Sequence, residues 1–242
     1  FLSGKERYVI SQNNFGKIPG MPIAYWETKR FIENFFLESI SENYIPKFGM
    51  STGNGEKYIR NWFEVAFNEI DYNSKNLKVA NEKNYKWVGL DKGGPFRRWY
   101  GNRNNVVLWE NDGNEIRNNK KSVVRNPQYF FRPHISWTLV GGGNYSVRFF
   151  DKGFALDTAS NCIYFKNNIV DFNILGMLNS KIAKSYLDVI NPTLNFSCGV
   201  IGKLPYLSKG IDVERNVEEN INLSKLDWDM HETSWDFKKS PL

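Results

Sequence analysis

The sequence predicts an α+β fold, in which helices flank a mixed, mainly antiparallel and curved sheet. Short apolar or alternating segments follow one another between residues 85 and 165, as strands of a sheet do. Apolar residues then recur at helical spacing over residues 172–190. Hydrophobic residues make up 41% of the 242-residue chain, so it can bury a core.

Residues 1–84 are predicted to form a helical side layer. Apolar side chains at helical spacing predict one helix over 26–40 and a shorter one over 56–68. A polar, glycine-containing loop precedes the shorter helix and offers Asn54 as a cap. Backbone amides at such a helix start can receive a phosphate, but the loop can also be only a turn.

The middle of the chain, 85–165, is predicted to supply the sheet. Its strands are expected at 85–90, 106–109, 129–140, 145–150, 154–156 and 162–165. Asn111-Asp112-Gly113 is typical of a hairpin turn, and Gly141 to Asn144 is typical of another.

The C-terminal part is predicted to be mainly helical. The helix over 172–190 should start after Asp171 and pack its leucine and isoleucine face across the sheet. Residues 199–207 are expected to be extended, and 211–226 to form another helix. We therefore expect three parts, namely the side layer 1–84, a central domain 85–210 and an acidic tail 211–242.

Positive charge is unevenly distributed along the chain. The net charge is +6 and the pI about 9.1. Residues 86–125 carry nine basic and four acidic side chains, whereas residues 211–242 carry four basic and eight acidic ones. A basic stretch of this kind favours a polyanionic partner.

Metal binding and membrane insertion are not expected. Cys162 and Cys198 are not in ligand spacing with each other or with the two histidines, so we expect free thiols in a reducing compartment. The longest apolar runs fall well short of the ~18 residues that a membrane span needs. No secretion leader follows Phe1, so we expect a cytoplasmic piece of a longer protein.

The segment 92–104 combines residue types that suit a nucleic-acid surface. An arginine fork can bind guanine or two phosphate oxygens, asparagine can pair with adenine, and aromatic rings can stack on bases. The alternative is a solvated basic loop with Trp99 and Tyr100 in the core. The predicted DNA contacts are Asn54, Lys57, Lys92, Arg97, Arg98, Trp99, Tyr100, Asn102, Arg103, Asn104, Arg117, Lys120, Lys121, Arg125, Arg132, Asn144, Tyr145 and Arg148. We expect these groups to converge on one concave face shaped for a double helix.

Several long motifs carry a resemblance to a known family. Two segments resemble the specificity half of TaqI-like and type I/type IIG restriction-modification proteins, SWTLVGGGNYSVRFFDKGFALDTASNCIYF (136–165) and ILGMLNSKIAKSYLDVINPTLNFSCGVIGKLPYL (174–207). More closely, the chain resembles the PglX-like adenine-specific DNA methyltransferases of BREX phage-defence systems, in IPGMPIAYW (18–26), MSTGNGEKYIRNWFEV (50–65), KGGPFRRWYGN (92–102) and LDWDMHETSWDF (226–237).

The resemblance implies a DNA target-recognition module with a TaqI-like specificity domain over 85–210. Methylation of adenine N6 would be carried out by an N-terminal catalytic domain of the same polypeptide, using S-adenosylmethionine. The implied partners are double-stranded DNA, that catalytic domain and other defence-system proteins.

No methyltransferase active site is expected within this chain, and no cofactor. Gly141, Gly142 and Gly143 precede an alternating strand, not the helix that a cofactor-binding turn requires. Asn126-Pro127-Gln128-Tyr129 lacks the second proline of the loop that holds a flipped adenine. A carbohydrate-binding β-module with tryptophan and tyrosine platforms is the alternative function, although the basic stretch argues against it.

Overall fold

The computed structural model describes residues 9, 11–142, 145–207 and 211–240. Its strands are β1 (Tyr44–Phe48), β2 (Ile59–Asn61), β3 (Ile70–Asp71), β4 (Trp87–Asp91), β5 (Asn105–Leu108), β6 (His134–Thr138), β7 (Val147–Phe150), β8 (Phe154–Leu156) and β9 (Ser160–Phe165). Its α-helices are α1 (Lys29–Glu33), α2 (Ile40–Asn43), α3 (Gly55–Tyr58), α4 (Leu77–Lys83), α5 (Glu110–Arg117), α6 (Phe172–Leu178), α7 (Lys181–Ile190), α8 (Cys198–Gly202) and α9 (Ile211–Asp229). The predicted α+β class is confirmed.

The first sheet is antiparallel throughout, with strand order β1-β9-β6-β7. Its side chains Ile135, Trp137 and Ile163 are fully buried in one cluster with Leu178 of α6 and Val217 of α9. Alternation along the strands therefore directs one face of this sheet towards the C-terminal helices, as the predicted packing of 172–190 requires.

The second sheet is mixed and centres on β4. Strand β5 pairs antiparallel on one side of β4, with β2 beyond it. On the other side, β3 and then β8 pair with β4 in parallel, at successive positions along it. Since Asp91 pairs with Leu156, the C-terminal ends of β4 and β8 meet at the same edge of the sheet.

The structure is more complex than the predicted division into a side layer and a single sheet. Strands β1, β2 and β3 all come from the first 84 residues and extend both sheets. Pro46 is accommodated within β1 because β1 is an edge strand, where a residue without an N–H costs no ladder hydrogen bond. The domain boundaries at 84 and 210 stay predictions.

The predicted single helix over 172–190 is interrupted at Asn179. The side chain of this buried asparagine donates to the Val147 carbonyl at 3.0 Å and accepts from the Val147 N–H at 3.1 Å. Ser180 then caps α7 by accepting from the Ala183 N–H. The break thus binds the helix pair to the edge of β7.

Four local predictions were wrong. Asn111, Asp112 and Gly113 all have positive φ, but they open α5 and no hairpin strand returns among the described residues. Residues 199–207 begin with helix α8, not an extended strand. The helices expected over 26–40 and 56–68 are each shorter than predicted: α1 continues into a 3-10 turn, and α3 is followed by strand β2.

The acidic C-terminal segment is packed into the fold. Beyond α9, the Trp235 ring stacks on Tyr72 with a centroid distance of 3.9 Å. The indole N–H of Trp62 donates to the Thr233 carbonyl at 2.9 Å, and Trp228 is buried. Across the described ranges, none of the helices has the length and apolar character to cross a membrane.

Candidate nucleic-acid interface

Four loops meet where β4 and β8 end. The loops 92–98 and 157–159 follow these strands directly, and the Asp157 N–H donates to the Asp91 carbonyl at 2.9 Å. The loop 49–54 joins them because Met50 pairs with Asp157. The loop 118–125 completes the group, since Ser51 and Val123 exchange both backbone hydrogen bonds. Segments distant in sequence are thereby brought to one edge.

These loops and the adjoining helix α3 carry basic side chains, which we call the basic edge: Lys57, Lys92, Lys120, Lys121 and Arg125. Lys57 forms a 2.8 Å ion pair with Glu115, whose hydrogen bond raises the pKa of the lysine. Lys120 and Lys121 are exposed, and no carboxylate among the described residues pairs with either. Asn54, also predicted to contact DNA, lies next to them and caps α3.

A strip of cations and aromatic rings continues from the basic edge along β1. The Arg125 guanidinium lies 5.5 Å from the ring centre of Phe48. Lys47 and Arg132 both lie over the Tyr129 ring, at 5.4 and 5.3 Å. Such stacked cations keep their charge exposed while their stems are fixed.

Sequence reasoning missed Lys47, Phe48 and Tyr129 in this strip. The run YIPKF (44–48) was not assigned to a strand. Its strand character and the following Gly49 were the available signal.

The predicted segment 92–104 is divided by the structure. In its first half, Lys92 and Arg98 are exposed, and the Arg98 guanidinium lies 5.5 Å from the Phe96 ring centre. No carboxylate within the described ranges forms an ion pair with Arg98. The first half therefore offers unpaired cations next to the basic edge.

Arg97 and the second half of this segment are covered by α9 and by β7. Arg97 forms a 2.9 Å ion pair with Asp227, and Arg103, only 5% exposed, pairs with Asp151 at 3.1 Å. Tyr100 is buried between Arg103 and Lys225, which lie 4.1 and 5.2 Å from its ring centre. Tyr100 and Arg103 are therefore buried and Arg97 is engaged by Asp227, so the predicted groups do not all lie on one exposed face.

Four further candidates have structural roles in this fold. Trp99 is half-buried and donates its N–H to the Val147 carbonyl, which adds it to the edge of β7. Asn102 is buried with a left-handed backbone, and the Asn104 carbonyl accepts from the Trp62 N–H. The Tyr145 hydroxyl is buried.

Three predicted DNA contacts outside the basic edge remain, and each lies in a different place. Arg117 is bound to Asp112 at 3.2 Å and lies over Trp109. Asn144 lies outside the described residues. Arg132 belongs to the strip along β1 described above.

Arg148 is fully buried and therefore cannot contact DNA as predicted. Its Nη2 donates to Thr138 Oγ1 at 3.3 Å, while Nε and Nη1 have no hydrogen-bond partner among the described residues. Its charge faces the buried Asp91 carboxylate. Burial acts to raise the pKa of Asp91, but interaction with the His134 ring and the Arg148 charge outweighs it, so the pKa lies below the ordinary value.

The two motifs considered for S-adenosylmethionine and for a flipped adenine do not have the geometry that these ligands require. Gly141 and Gly142 lie in the connection between the antiparallel strands β6 and β7, not before a helix. The Asn126 side-chain amide donates to the Phe48 carbonyl at 2.9 Å and is therefore engaged. In the part of the chain that the structure describes, no three histidine, cysteine or acidic side chains are grouped to hold a metal ion.

Comparisons with known proteins identify relatives along nearly the whole chain. No protein-family model matches it. The chain is 37% identical over 235 residues to the adenine-specific methyltransferase BrxX of Escherichia coli O9:H4 (strain HS), covering 96% of this chain and 19% of BrxX. It is 34% identical over 248 residues to the adenine-specific methyltransferase PglX of Lacticaseibacillus casei (strain Zhang), covering 97% of this chain and 20% of PglX. The chain thus spans about a fifth of the length of these relatives, and it is similar to one segment of each.

Proposed function

We propose that this chain is the sequence-specific DNA recognition module of an adenine-N6 DNA methyltransferase of the restriction-modification and phage-defence type. It would direct methylation by a catalytic domain elsewhere in the same polypeptide, which would bind S-adenosylmethionine. The observation that carries this proposal is the basic edge, where loops from distant parts of the sequence bring five cations together.

The chemistry of the basic edge suits a duplex. Each cation that neutralises a phosphate releases condensed counterions, which favours binding at low salt. The lysines would position the module on the backbone, whereas arginine and planar side chains would contact bases. The names of both relatives, adenine-specific methyltransferases, support DNA as the ligand.

The remaining partners follow from this role. The catalytic domain would be the permanent partner, other defence-system proteins would be further partners, and the location would be the cytoplasm. The carbohydrate-binding alternative is not supported, because both relatives are methyltransferases.

The proposal is tested by duplex binding at different salt concentrations. Fluorescence anisotropy with a labelled duplex pool of random sequence would be measured between about 50 and 200 mM salt. The double substitution K120A/K121A should weaken binding and reduce the slope of log K against log salt by roughly 1 for each lost phosphate contact.

A charge-matched control is K29A/K181A, which removes two exposed lysines on α1 and α7, outside the basic edge. This control should bind like the unmodified chain. Failure of the unmodified chain to bind any duplex, or equal binding by both double variants, would contradict the proposal.

A further inference from the structure

The loop 92–98 is held at successive backbone positions by side chains of the fold. The Gly93 N–H donates to Asp91 Oδ1 at 3.2 Å. Thr138 Oγ1 donates to the Gly94 carbonyl at 2.8 Å, and the Asn102 amide donates to the Pro95 carbonyl at 2.9 Å. The loop ends at Trp99, which is bonded to β7 on both sides of Arg148.

The two glycines of the loop are required by this arrangement. Gly93 and Gly94 have φ of +79° and +124°, in the region that favours glycine. A Cβ at Gly93 would lie 3.1 Å from the Ala159 carbonyl oxygen, and one at Gly94 would lie 3.0 Å from the Asn102 amide. The loop is therefore packed closely against its surroundings along this stretch.

A buried polar network lies beneath the loop and connects its contacts. Thr138 Oγ1, the donor to Gly94, is also the acceptor for Arg148 Nη2. The Asp91 carboxylate, which accepts from Gly93, accepts from Ser160 Oγ at 2.9 Å and faces the Arg148 charge. Burying two opposite charges costs free energy of desolvation. Here both charges are buried at the base of one surface loop.

This fixed loop presents Arg98 to solvent. The guanidinium stacks on Phe96, whose ring is 52% exposed, and no described carboxylate competes for its donors. The neighbouring Arg97, by contrast, is neutralised by Asp227. Two adjacent arginines thus have different environments, and only one of them retains a free fork.

We propose that Arg98 reads a guanine in the major groove, and that Thr138 and Arg148 are positioning residues that hold its loop for this contact. The inference rests on the DNA-recognition function proposed above. A guanidinium fork matches the O6 and N7 acceptors of guanine, and a loop fixed before binding loses less conformational entropy on complex formation. Contact with phosphate is the competing role for Arg98.

The experiment selects bound duplexes from a random-sequence library and sequences them. The unmodified chain should enrich a guanine at one position of its site. R98A should abolish that preference, with a loss on the order of tenfold for the selected duplex, and leave other positions unchanged. R98K should behave like R98A, since lysine keeps the charge but lacks the fork.

The positioning role is tested by a matched pair at residue 138. T138V removes the hydroxyl between Gly94 and Arg148, whereas T138S retains it. T138V should reduce the guanine preference and speed amide hydrogen exchange over 93–98, and T138S should do neither. If T138V does not fold, N102D replaces the donor to Pro95 while tolerating the left-handed backbone, and should reduce the same preference.

The outcomes separate the two proposals. If no duplex is retained from the library, the proposed function fails. If duplexes are retained but R98K keeps the guanine preference, Arg98 contacts phosphate and the inference is overturned. If R98A and R98K lose the preference while T138V and N102D keep it, the positioning role of the network is refuted.

Discussion

Replacement of Asp91 by asparagine tests the buried carboxylate beneath the loop 92–98, which lies 3.5 Å from the His134 ring and faces the Arg148 charge. Asp91 and Arg148 are both 0% exposed. Asparagine keeps an acceptor for the Gly93 N–H, and the Ser160 hydroxyl can reorient towards the new amide while bonding the Trp137 carbonyl. What D91N removes is mainly the negative charge that faces the His134 ring and the Arg148 guanidinium.

The expected loss is large for a protein of this size. Removing one partner of a buried ion pair leaves an uncompensated charge and typically costs about 3–5 kcal/mol. Since a domain unfolds with a free energy of roughly 5–15 kcal/mol, D91N should lose about a fifth or more of its stability. The double variant D91N/R148M removes both charges and should recover most of this loss, because a buried pair replaced by apolar groups of similar size is often neutral.

The assay is urea denaturation of the unmodified chain, D91N, R148M and D91N/R148M, followed by far-UV circular dichroism at several pH values. The m-value should stay constant, so that midpoint shifts report stability. Because the pKa of Asp91 is lowered in the folded state, its contribution is present above the ordinary carboxyl pKa of about 3.9 and is lost as the pH falls below it. The chain with Asp91 should therefore lose stability more steeply below this pH than D91N. A loss under about 1 kcal/mol in D91N, or a double variant no better than D91N, would refute the reasoning.

Two further substitutions test the core and the start of α6. L178A removes a side chain that is 1% exposed and should lower the unfolding free energy by about 2–5 kcal/mol. The control L223A, at a leucine that is 61% exposed on α9, should change it by less than about 0.5 kcal/mol. Equal effects of the two substitutions in denaturation would show that α6 is not docked as described. Asp171 accepts hydrogen bonds from the hydroxyls of Tyr44 and Tyr206 and from the Asn173 N–H, and these bonds outweigh burial and lower its pKa. D171N should therefore destabilise the fold by about 1–3 kcal/mol at pH 7, and by less as the pH falls below about 3.9. A pH-independent difference in melting temperature between the two proteins would contradict this.

The sequence predicted those parts of the fold that depend on local pattern. The alternation in 145–150 and the continuous apolar run before Asp91 correspond to β7 and β4. The division into two sheets was not predictable in this way, because it depends on which distant segments pair. The parallel pairing of β8 with β4, for example, has no signal in either strand alone.

The candidate site shows the same limit. The clustered charge in 120–125 indicated a basic surface, and the structure places those residues on exposed loops. Arg97 and Arg98 are indistinguishable in the sequence, yet Arg97 is paired with an aspartate 130 positions away. Lys47 was missed because its neighbour Tyr129 is brought to it only by tertiary packing. Burial and pairing depend on contacts that no local window contains.

The packing of the C-terminal segment bears on how such modules can be exchanged between proteins. A chimera joined near residue 210, where the charge composition changes sign, would strip Trp235 from the Tyr72 ring and Asp227 from Arg97. The partners in these contacts, Tyr72 and Arg97, lie more than a hundred residues earlier in the chain. A transplanted module therefore needs its junction beyond Phe237, and a donor's C-terminal segment has to travel with the second sheet to which it is fitted.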